Sequence, residues 1–143
     1  MSKNKILAEA IIISGYCDIV LGILQKHEQL SINKLLFFSF IIKKNIFLYK
    51  EVYRSNNSKD LLLKGISKMS GLFDDYCYEM EYIFKAIHLL ISNEELIIIE
   101  HEVRYNSEKK KVIYAENSFI EKCINESKQM SDRQFLKEVM HNV

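Results

Sequence analysis

The residues able to do chemistry are few and scattered. Four histidines (His27, His88, His101, His141) and three cysteines (Cys17, Cys77, Cys123) are spread along 143 residues. No two histidines have the H-E-x-x-H spacing that places two ligands on one helix face. No C-x-x-C pair or Cys–His pair has zinc-ligand spacing. His88 flanks an apolar helical stripe between Phe84 and Ile91, and His101 takes an inward slot in an alternating segment. Both read as half-buried structural side chains. The cysteines, odd in number and embedded in apolar patterns, read as buried thiols rather than a disulfide framework.

Asp74, Asp75, Glu79 and Glu81 cluster near the start of one predicted helix. Four carboxylates suggest a metal site, but acids in the first turns of a helix also complement its positive end, and that reading needs no ion. No phosphate-binding loop G-x-x-x-x-G-K-[ST], dinucleotide fingerprint G-x-G-x-x-G or nucleophile elbow G-x-S-x-G is present. These observations point to no catalytic residue, metal or cofactor. An enzyme would have to assemble its site from residues distant in sequence.

The elements that would position any site are mostly helices. Proline is absent and there are only four glycines, 48% of residues are hydrophobic and 27% charged. That composition suits one packed domain over 1–143 built from uninterrupted helices. Ile6, Ala10, Ile13, Cys17, Val20 and Leu24 recur at helical spacing and predict a first helix over 5–27. It is so apolar that it must be central or covered by a partner. Gly15 and Gly22 offer it a close helix–helix approach. Glu9 and Asp18 interrupt its apolar run, and Tyr16 before Cys17 spoils a lipoprotein-type cleavage site. The chain therefore reads as cytoplasmic, with no membrane span.

Ser31 is placed to cap a second helix reaching Lys44. Ile32, Leu35, Leu36, Ser39 and Ile42 share one side of it. Phe37, Phe40 and Ile41 fall on the side marked by Asn33, Lys34 and Lys44, which predicts either an internal contact with 46–54 or an aromatic patch at the surface for a protein partner. A further helix is predicted over 46–54, with Tyr49, Val52 and Tyr53 inward. Others follow over 58–69, ended by Gly71, and over 74–91, with the stripe Tyr76, Met80, Ile83, Phe84, Ile87, Leu90 and Ile91.

Alternation over 95–105 and again over 110–115, around Asn106-Ser107-Glu108, predicts a β-hairpin. C-terminal helices over about 117–141 carry two capping-box pairs, Ser118 with Glu121 and Ser131 with Gln134. The expected fold is a mainly α domain with one hairpin, in a winged-helix-like order.

Net charge is +1, with a surplus of basic residues over 1–60 and of acidic residues over 61–105. That is too balanced for a dedicated polyanion binder. Lys109, Lys110 and Lys111 at the expected hairpin tip are still placed to touch phosphate, as a wing does.

The order of parts also resembles a family. Gly15-Tyr16 lies within an apolar first helix that leads into Leu30-Ser31-Ile32-Asn33-Lys34-Leu35-Leu36-Phe37. Phe73-Asp74-Asp75-Tyr76 opens a long helix ending in Ala86-Ile87-His88-Leu89-Leu90, and Glu95-Leu96-Ile97 begins the hairpin. Over about residues 6–115 this is similar to the middle components of bacterial three-component systems built around an ABC-type ATPase. In 43–53 it lacks the prolines usual there. The resemblance implies a non-catalytic adaptor between an SMC-like ABC-type ATPase and an effector subunit, in defence against phages and mobile DNA. A winged-helix-like DNA-binding protein or transcription regulator stands as the alternative.

Overall fold

The protein is described by a computed structural model covering residues 3–44, 58–67, 69–106 and 118–142. The expected helix over 46–54 and the lysines Lys109, Lys110 and Lys111 lie outside these residues. The described chain is mainly helical with one small antiparallel sheet. Its elements run α1 (Lys3–His27), β1 (Gln29–Ser31), α2 (Ile32–Lys44), α3 (Ser58–Ser67), α4 (Phe73–Ser92), β2 (Leu96–Ile99), β3 (Glu102–Tyr105), α5 (Ser118–Ser127) and α6 (Asp132–Asn142).

α2 is the hub. It touches α1, α4, α5 and α6, and every residue from Lys34 to Ile41 is buried. A helix apolar on all sides needs neighbours on all sides, and here they come from both directions along the chain. Ser31 starts it as expected, its Oγ accepting from the Lys34 N–H at 3.4 Å. α1 lies along α4, while α3 packs on α5 and α6. At Gly15 the near neighbour is a flexible side-chain end rather than another helix's backbone: a Cβ there would lie 3.0 Å from Lys43 Nζ. Gly71 ends the turn after α3 at φ +83°, a conformation costly for any residue with a side chain.

The C-terminal segment forms two helices. Ser131 caps the second, accepting from the Gln134 N–H at 3.1 Å. The side chain of Ser118, in the other expected capping box, lies outside the described residues.

The expected second strand over 110–115 lies outside the described residues. Residues 96–105, read as one strand, contain two strands and a tight turn, with Ile97 opposite Arg104 and Ile98 opposite Val103. Glu100 takes the left-handed backbone at φ 58° in that turn. Two-residue hairpin turns favour Asn-Gly or Asp-Gly because positive φ is cheap there. A Glu-His turn carries no such mark. A third strand also forms: β1, from the short connection after α1, pairs with β3 in the order β1-β3-β2. α1 and α4 both end on left-handed glutamates, Glu28 at φ 67° and Glu94 at φ 63°, which turn the chain from helix into sheet.

Candidate functional site

Two polar arrangements stand out within this framework. The first is a cleft of about 410 Å³ where β1, the start of α2, the β2–β3 turn and the α5–α6 connection meet. Lys34 lies in its wall, nearly buried, and its ammonium donates to the Met130 carbonyl at 2.6 Å, with Asp132 Oδ1 at 3.9 Å. Burial pushes this ammonium below the ordinary lysine range, and the nearby Lys128 charge adds to that. The charges of Asp132 and Glu102 act against the shift.

Lys128, on the opposite wall, donates to the His27 carbonyl at the end of α1. Each side of the cleft thus sends an ammonium to a backbone carbonyl of the other. Asn33 Nδ2 reaches Asp132 Oδ2 at 3.5 Å, and Lys26 pairs with Glu121 at 3.1 Å. The arrangement works as a clasp fastening α5 and α6 onto the α1–β1–α2 unit. Lys34→Met keeps the apolar stem but leaves the Met130 carbonyl without its donor. It is expected to lower stability by about 1–3 kcal/mol, measured by urea denaturation.

The second arrangement lies where α1, α2 and α4 converge. The fully buried Tyr16 hydroxyl donates to Glu79 Oε2 at 2.8 Å, and Lys44 Nζ sits 3.7 Å from the same oxygen. Lys43 lies over the Tyr16 ring and Lys44 over the Phe40 ring, both 5.7 Å from the centroid. Burial first, then the hydrogen bond and the charge of Glu79, hold the Tyr16 phenol well above its ordinary range. Glu79 therefore does more than complement a helix end: it is a buried acceptor joining three helices. Its position three residues after Tyr76 and four before Ile83 puts it on the apolar stripe, which was the available sign of its burial.

Several expected positions are corrected. Phe37, Phe40 and Ile41 do not form a surface patch, since all three are buried in the domain's own core. Phe37 packs edge-on against Tyr76 at 6.1 Å and Phe135 at 5.2 Å, and Phe40 lies 5.3 Å from Tyr76. Their cover comes from α4 and α6, remote in sequence. Lys44, grouped with them, is half-exposed and belongs to the Glu79 arrangement. His88 is exposed rather than half-buried, and His101 is exposed in the hairpin turn rather than inward. Cys77 is exposed too, while Cys17 is half-buried and Cys123 buried.

Among the described residues no group of three or more His, Cys, Asp or Glu side chains is placed to hold a metal ion. Asp74, Asp75 and Glu81 stay on the exposed face of α4, where Lys85 pairs with Glu81 at 3.0 Å.

The apolar surface lies elsewhere than expected. Ile97, Ile98 and Ile99 are exposed on β2, an outer strand of the sheet among the described residues. Tyr78, Phe84 and Leu89 are exposed on α4, and Ile6, Leu7 and Ile11 on α1. By length and composition alone α1 is apolar enough to cross a membrane, yet Tyr16, Val20, Ile23 and Leu24 in its second half belong to the core. No protein-family profile, curated protein or solved structure matches the chain.

Proposed function

We propose that the chain is a cytoplasmic, non-catalytic adaptor subunit that links an SMC-like ABC-type ATPase to an effector protein in a bacterial anti-phage or mobile-DNA defence complex. The system is suggested by the resemblance in the order of parts. The observation that carries the binding role is the run Ile97-Ile98-Ile99, exposed together on an outer strand of the sheet among the described residues. Three adjacent exposed isoleucines on such a strand are a liability in a lone protein and a natural seat for a partner.

The alternative is a winged-helix-like DNA-binding protein. The order α1-β1-α2-α3-α4-β2-β3, with the sheet arranged β1-β3-β2, is compatible with it. In that reading α4, the helix before the hairpin, would face DNA. Its exposed residues include Asp74, Asp75 and Glu81, a poor match to a phosphate backbone.

Purification of the tagged chain from its native host separates the two. The adaptor reading expects an SMC-like ABC-type ATPase and a third subunit, identified by mass spectrometry, with both lost on Ile98→Asp. Recovery of DNA alone overturns it. In that case, neutralising Lys109, Lys110 and Lys111 should lower the salt slope of DNA binding by about one per lost contact.

A further inference from the structure

The first half of α1 presents an apolar face that the described residues leave exposed. Ile6, Leu7 and Ile11 are 54%, 62% and 64% exposed. At 100° per residue they share a sector of about 140° with Lys3, Ala10, Ser14 and Asp18. All seven are exposed, as are Asn4, Lys5 and Ala8 around the first turns, and beyond Ala8 the exposed residues of α1 up to Asp18 are those of this sector alone. The interior side of this half is identified independently by Glu9, whose charge is felt by Tyr82 and Lys85 of α4.

The face is self-complementary in a definite sense. Its cation, Lys3, stands at one end and its anion, Asp18, at the other, with the apolar and small residues between. The midpoint falls between Ala10 and Ile11. An antiparallel copy related by a two-fold axis there sets Lys3 against the other copy's Asp18 at both ends. It sets Leu7 against the small Ser14 and Ala10 against Ile11. Parallel pairing would instead oppose lysine to lysine and aspartate to aspartate.

We infer that this face of α1 docks on the same face of a second copy of the chain, antiparallel, to form a symmetric homodimer. Such an interface is isologous, so each contact occurs twice. One helix face of this length buries less than the about 800 Å² per partner of a standard interface. The dimer is accordingly weak, with a dissociation constant on the order of 10 µM.

Sedimentation equilibrium of the intact chain over a concentration series tests this, with circular dichroism as the folding check. The wild type should show a reversible monomer–dimer equilibrium. Leu7→Glu should abolish it, because it buries two new carboxylates across the axis. Lys3→Glu and Asp18→Lys should each weaken dimerisation by about fivefold to tenfold, since each replaces two attractive pairs by two repulsive ones. The double variant should restore it, and that rescue requires residue 3 of one copy to meet residue 18 of the other. A wild type monomeric at 200 µM overturns the inference. So does a dimer indifferent to both charge changes, or a monomer that instead sediments with anionic phospholipid vesicles through α1.

Discussion

Replacing Phe37 by alanine is expected to destabilise the domain by about 3–5 kcal/mol, a large part of the 5–15 kcal/mol typical of a natural domain. The ring is 1% exposed and makes edge contacts with Phe38, Tyr76 and Phe135, so its removal leaves a cavity at the meeting point of α2, α4 and α6. These neighbours belong to three separate helices, and relaxation of any one would disturb the other two. Collapse to fill the space is therefore limited, which puts the loss towards the upper end for its class. Urea denaturation followed by circular dichroism measures it. Phe84→Ala is the control, since that ring is 48% exposed on α4 and should change stability by no more than about 0.5 kcal/mol. Equal effects of the two substitutions would contradict the burial described for α2.

Alkaline pH should weaken the fold steeply, beginning near the ordinary thiol range. Burial pushes the Cys123 thiol up to about 12 and raises Cys17 as well. Burial, with the Glu79 carboxylate acting on Tyr16, holds the Tyr16 and Tyr76 phenols above their usual range. In each case the folded state keeps a proton that the unfolded chain releases. The unfolded state then binds fewer protons, and stability falls as pH rises.

Below the unfolded values the contribution is fully present. Between about pH 9 and 10 the thiols act, and above about 10 the two phenols join them, each group adding up to about 1.4 kcal/mol per pH unit. Free energies of unfolding measured at pH 7.5, 9, 10 and 10.5 should trace this steepening. Cys123→Ala should flatten the segment between 9 and 10, and slopes rather than absolute stabilities are the quantity to compare. A level profile to pH 10.5 would mean that these groups reach water in the folded state.

Much of the helical content is local information, and the sequence alone determined it. Apolar spacing and the absence of proline marked out α1, α2, α4 and the C-terminal helices. Ser31, Ser131 and Gly71 marked ends because a cap or a positive φ depends on a few adjacent atoms. Hairpin existence was also legible, from alternation. The turn inside 96–105 was not, because Glu100-His101 has no glycine or asparagine to mark it.

What only the tertiary structure decided is which faces are covered. A helical wheel separates sides but does not say how many sides find neighbours. For α2 the cover arrives from Tyr76 and Phe135, some 40 and 100 residues further along, and it turns an expected docking patch into the core. For the first half of α1, expected to be central or covered by a partner, the apolar side chains Ile6, Leu7 and Ile11 are exposed. Glu79 and Lys34 became buried polar anchors for the same reason. Their partners, Tyr16 and the Met130 carbonyl, lie 63 and 96 residues away, beyond the reach of any periodicity within one helix.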